Sequence, residues 1–296
     1  MLFDNFERIH GHPDEHGEPL YPFLNHAAGE DWQHVRDVLT DWLAHYPEAE
    51  RPALIARFRR TDRRGFLGAF WELYLHELLR RLGFDIELHP VVSGTTHRPD
   101  FRLWLGNVSA FVEAVTIYES HADTRGAHLR RDGIVDDHRV IRQRLGEKTR
   151  HYGRQLGIPF VIALISFRPT TDFRELLAGL FGSAYEHPEM IRDGAIRRSR
   201  LAGTNGFWLT NKGVQYEDAS AVLTAFELMP WSVARCQPWL IANPWASHPF
   251  EIELPFNRVV IDRTTGKIER VETDFQPALH FGLPADWSHG LKFTRS

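Results

Sequence analysis

The chain has 296 residues, 43% of them hydrophobic and 25% charged, with a formal net charge of −4. This is ordinary globular composition and excludes collagen-like, disordered and coiled-coil classes. A single cysteine, Cys236, excludes a disulfide framework and a cysteine-cluster zinc site. The net charge hides an asymmetry. Residues 1–50 carry eleven acidic and two basic groups, whereas residues 51–154 carry nineteen basic and thirteen acidic ones. A basic middle block beside an acidic head is read either as a solvated Arg-rich surface or as the contact face for a polyanionic partner. The first residues lack the basic start and apolar run of a signal peptide, and no apolar stretch reaches the length of a membrane span, so a cytoplasmic protein without a membrane partner is expected.

Residues 1–30 read as an irregular arm. Trp32, Val35, Val38, Leu39, Trp42 and Leu43 recur at helical intervals, predicting a helix over 31–45. A second helix is expected over about 49–60, and its Arg57, Arg59 and Arg60, followed by Arg63 and Arg64, form the densest basic run. The most apolar helix spans about 62–82 and stops at Gly83. Strand-like FDIELHP follows. The runs PDFRLWL and VSAFVEAVTI flank Gly106-Asn107 and predict a tight hairpin. A polar loop over 118–133, a long helix over about 134–156 and a buried central strand over 158–166 complete this part. Beyond 167 the pattern predicts a helix over 172–181, a strand within 219–228 and a hairpin over 258–272. The expected domain organisation is an acidic arm with helices (1–60), an α/β core (61–170) and a β-rich extension packed on the same domain (171–296).

The predicted hairpin carries a geometric consequence. A two-residue turn at 106 and 107 sets Asp100 directly across from Glu113, with Cβ atoms about 4.5–5.5 Å apart on one sheet face. Two carboxylates so placed repel unless a positive group lies between them. A divalent cation such as Mg²⁺ or Mn²⁺ does this, since Mg²⁺ is typically held by one or two carboxylates together with substrate phosphates. Glu72 lies mid-helix among apolar residues, where a carboxylate needs a partner, either the same metal or a buried Arg. Glu77 has Arg80 and Arg81 three and four residues on and reads as a surface salt bridge. His12 and His16, or His121, Asp123 and His128, lack fixed metal-ligand spacing. Trp231, Trp239, Trp245 and Trp287 read as packing residues with stacking on bases as the alternative. Phosphate-loop and serine-hydrolase motifs are absent.

The order helix with Glu72, strand, Pro99-Asp100, hairpin, Glu113, helix, strand resembles the PD-(D/E)xK, or restriction-endonuclease-like, nuclease superfamily over about residues 62–166. The resemblance implies a mixed α/β (α+β) fold whose central sheet is flanked by helices, and a metal-dependent nuclease acting on DNA rather than RNA in restriction, defence or repair, as a homodimer or within a larger complex. It also implies Mg²⁺ or Mn²⁺ at Asp100 and Glu113, assisted by Glu72. One departure stands out. The family's last motif has a lysine two residues after the acid, and here that position holds Val115. Lys148, in the following helix and one of four lysines among 35 basic residues, is the expected replacement; Gln143 is a weaker one. Arg59, Arg60, Arg63, Arg64 and Arg144, with the run at 125–131, are expected to hold phosphates. A nuclease-like fold that binds nucleic acid or a protein partner without cleaving, and a carboxylate-pair glycosidase, are the alternatives.

Overall fold

The computed structural model describes residues 1–9, 19–118, 137–152, 156–168, 170–182, 185–190, 196–201, 203–284 and 287, with backbone alone over 185–190 and 196–201. The elements begin with α1 (Leu20–His26), α2 (Glu30–His45), α3 (Arg51–Phe58), α4 (Arg63–Arg81), β1 (Asp85–Leu88), β2 (Phe101–Leu105) and β3 (Val108–Ile117). They continue with α5 (Asp137–Tyr152), β4 (Phe160–Ser166), α6 (Phe173–Phe181), β5 (Tyr185–Met190), β6 (Ile196–Leu201), β7 (Leu209–Thr210) and β8 (Gly213–Val214). The last are β9 (Ala221–Thr224), β10 (Trp239–Ala242), β11 (Asn257–Ile261), β12 (Lys267–Val271) and α7 (Pro277–Phe281). Among the described residues no helix is long and apolar enough to cross a membrane.

The chain divides into two compact units. The first joins residues 1–84 to 227–236 and 276–296; the second joins 85–226 to 237–275. This division differs from the expected one. Helix α4 groups with the N-terminal helices, while the C-terminal strands continue the sheet of the second unit.

In the first unit, Asp62 caps α4 by accepting the Gly65 amide at 2.8 Å. Gly83, at φ +86°, follows the helix in the left-handed region that glycine tolerates. Between these ends α4 is buried on all sides, from Phe66 to Leu79 apart from half-buried Gly68. Its acids are therefore partnered inside the protein. Glu77 is fully buried and takes Arg80 at 2.9 Å, Arg81 at 2.5 Å and His45 at 3.3 Å, so its pairing is internal where a surface bridge was expected. Within the stretch read as an irregular arm, residues 20–26 form α1: its Tyr21, Phe23 and Leu24 are buried, and Phe3 stacks on Tyr21 at 5.9 Å. Seven residues are too few to display a helical period.

His76 of α4 is buried against the Tyr46 ring, with centroids 4.8 Å apart, and its Nδ1 has no hydrogen-bond partner among the described residues. Burial drives its pKa down to about 4. The folded state therefore refuses a proton that the unfolded chain accepts below its ordinary value of 6.5. Stability tied to His76 is complete above that value and falls as the pH drops toward 4, by about 3 kcal/mol in all. Urea denaturation at pH 7.5 and 4.5 should show a smaller acid loss in His76→Phe than in the wild type; equal losses would exclude His76 as a source of acid sensitivity.

The second unit is built on a ten-stranded mixed sheet of order β1-β2-β3-β4-β9-β10-β11-β12-β6-β5. Strands β1, β2 and β3 are successively antiparallel; β3, β4 and β9 are successively parallel. Strand β4 is buried through residue 165, as its continuous apolar run requires. Phe160, Ile162 and Leu164 share a core with Ile141 and Leu145 of α5 and with Leu176, Leu177 and Leu180 of α6. At Gly179 a Cβ would stand 2.8 Å from Ile141 Cγ2, so the α5–α6 approach requires glycine. The hairpin of β11 and β12 forms as expected. Strands β5, β6 and β10 were not anticipated: the first two are polar, β5 carrying Pro188 as well, and the third is four residues long.

Candidate metal and nucleic-acid site

The β2–β3 hairpin adopts the predicted register, pairing Phe101 with Val112 and Leu105 with Val108. The ladder ends one pair short of Asp100 and Glu113. Asp100 keeps the backbone in place by a different route: its carbonyl accepts the His89 amide at 3.0 Å, and its Oδ2 accepts the Ala114 amide at 2.7 Å. The amide that follows Glu113 thus draws the Asp100 carboxylate toward the neighbouring acid.

Glu113 is buried, and α5 supplies its partners. Lys148 Nζ lies 2.5 Å from Oε1, and the Tyr152 hydroxyl donates to Oε2 at 2.6 Å. Residues 148 and 152 are four apart, one above the other on a single helix face. Burial, then the Glu113 charge, the hydrogen bond to it and the Asp100 charge push the Tyr152 hydroxyl well above its usual range. Tyr152 is therefore a neutral donor that senses both carboxylates. Beside them His97 and His151 stack with centroids 4.3 Å apart and planes 7° apart. Burial, then His97 and Lys148, hold His151 below the usual histidine range.

Lys148 therefore meets Glu113 although position 115 is Val, which is buried in the apolar core. Gln143 does not take this place: it donates to Glu147 at 2.9 Å, as Arg144 does at 3.1 Å. Glu72 stands in the other compact unit, where Arg57 binds its two oxygens at 2.8 and 2.7 Å and the Tyr46 hydroxyl donates at 2.5 Å. An arginine is thus there to partner Glu72, half-exposed where a buried one was expected. Among the described residues no group of three or more His, Cys, Asp or Glu is arranged to hold a metal.

The expected phosphate-binding arginines are mostly engaged. Arg59 ties down the N-terminus through the Met1 and Leu2 carbonyls and Asp4. Arg60 pairs with Asp62, and Arg144 with Glu147. Arg63 and Arg64 are exposed at the start of α4. Arg125 to Arg131, His12, His16, His121, Asp123 and His128 lie outside the described residues. Trp231 packs on Trp32 at 5.8 Å and Trp239 on Phe173 at 4.5 Å, in their expected packing roles. Tyr152 and the histidine stack were missed. Tyr152 carried a usable signal, its position one helical turn beyond Lys148; His97 and His151 are distant in sequence and meet through folding alone.

Comparison of the chain with family models, with curated proteins and with solved structures returned no match.

Proposed function

We propose that this protein is a metal-dependent nuclease of the restriction-endonuclease-like type, acting on DNA in the cytoplasm. One observation carries the reading: position 115 holds Val, and Lys148 of the following helix sets its ammonium on Glu113. The pairing of β1 to β4 around this site, antiparallel twice and then parallel, supports it.

Asp100 and Glu113 offer hard oxygen donors of the kind Mg²⁺ or Mn²⁺ takes. Among the described residues no third carboxylate or imidazole is arranged with this pair to hold a metal, so a cation here would complete its shell with water and substrate phosphate. Glu72 has its own cation in Arg57, so the donor set narrows to Asp100 and Glu113. A bound metal would polarise the phosphodiester and acidify a water. The chain's residues do the rest. The Ala114 amide orients Asp100, and Tyr152 fixes one oxygen of Glu113. Lys148 is a compact charge able to hold the attacking water or offset charge on the phosphate.

A second reading, binding without cleavage, draws support from the two Glu113 oxygens, which already meet Lys148 and Tyr152. Incubation of labelled DNA and RNA with Mg²⁺ or Mn²⁺ separates the two. The nuclease reading expects cleavage by the wild type, abolished by EDTA and by Asp100→Ala. Binding with no cleavage on any substrate would favour the second reading.

A further inference from the structure

Along the hairpin, alternation places Asp100, Arg102 and Trp104 of one strand and Glu113, Phe111 and Ser109 of the other on a single sheet face. From the carboxylates outward, the chain thus presents an arginine and then a tryptophan at intervals of about 6.6–6.8 Å. Arg102 differs from the arginines described above. It has no ion pair or hydrogen-bond partner among the described residues, and its buried Nε is left without an acceptor. Its guanidinium lies instead 4.9 Å from the Trp104 ring centroid and 5.5 Å from that of Phe111. Glu87, its cross-strand neighbour on β1, is exposed and makes no ion pair with it. Arginine held over aromatic rings keeps donors for an anion, and a bidentate match to phosphate suits its fork. Trp104 is half-buried and, unlike Trp231 and Trp239, stacks on no other ring among the described residues. An indole beside an arginine is a platform for a base.

We infer that Arg102 and Trp104 form a nucleotide subsite next to the reacting phosphodiester, Arg102 taking the adjoining phosphate and Trp104 stacking on an unpaired base. The inference rests on the nuclease reading and narrows its substrate to a strand that is single, frayed or flipped at this point. A base within a duplex keeps its neighbours on both faces and gains nothing from the indole.

Fluorescence anisotropy with labelled oligothymidylate and with a duplex of equal length, both in EDTA, tests the subsite on the full chain. The wild type should prefer the single strand. Trp104→Ala should weaken single-strand binding by roughly 5- to 100-fold and duplex binding little, with Trp104→Phe retaining most of the affinity. Arg102→Ala should lower the slope of log affinity against log salt by about one phosphate contact. Matched thermal unfolding of Trp104→Phe and the wild type controls for folding. Equal losses on both substrates in Trp104→Ala, or none, would overturn the subsite. If Asp100→Ala abolishes cleavage while Trp104→Ala leaves single-strand cleavage intact, the subsite fails and the nuclease stands. An absence of both binding and cleavage in the wild type defeats both.

Discussion

Lys148→Ala is expected to lower metal-dependent cleavage about 10²–10³-fold, the usual cost of removing one donor aimed at developing charge. On the proposed reading the loss should fall mainly on kcat, because Lys148 acts on the reacting groups rather than in holding the substrate. Lys148→Arg should not restore the rate. A planar fork has a different shape and pKa from an ammonium and cannot occupy the same point beside Glu113. Lys148 is one-third exposed, so its removal should cost far less in stability than in rate. Single-turnover cleavage on the two variants measures this. A variant with full activity would return Lys148 to the role of an ordinary ion-pair partner.

The largest effect on stability is expected at the other end of the same helix. Asp137 begins α5 and is buried, as is Arg168, which meets it at 2.8 Å. Thr170 and Thr171 donate to its second oxygen at 2.5 and 3.0 Å. Arg168→Ala leaves a buried carboxylate with two hydroxyl donors and no cation, a change expected to cost about 3–5 kcal/mol. Removing both charges, in Arg168→Met with Asp137→Leu, should recover much of that loss, since the attraction of a buried pair is largely offset by desolvation. Urea denaturation of the single and double variants gives both numbers. Equal destabilisation in the two would show that the site requires the charges themselves. Since α5 also carries Lys148 and Tyr152, loosening its start should lower cleavage as well.

What the sequence made legible follows from the range of each interaction. The hairpin register was readable because a two-residue turn fixes the partner of every residue along it, and the observed pairs agree. Strand β4 and helices α2, α4 and α6 were readable from runs long enough to show a period or a continuous apolar stretch. The meeting of Lys148 with Glu113 was anticipated from the resemblance to the nuclease superfamily, whose motif lysine is missing at Val115; the scarcity of lysine in an arginine-dominated chain then pointed to Lys148. Arg57 on Glu72 was foreseen as a class of partner but not by number, because helix pairing across a loop leaves no periodic trace. Strand β6 and the histidine stack escaped notice because their partners are set by tertiary folding. Arg102 was missed for a related reason: an arginine lacking an acceptor is a statement about its surroundings, and one residue among 35 basic ones gives no hint of it.

The proposed function rests on Asp100 and Glu113 accepting a divalent cation. Calorimetric titration of Mn²⁺ into the wild type and Asp100→Ala tests this before any substrate is chosen. The account predicts saturable binding by the wild type that is abolished or strongly weakened in Asp100→Ala. No binding by the wild type at millimolar Mn²⁺, or equal binding by both proteins, would contradict it.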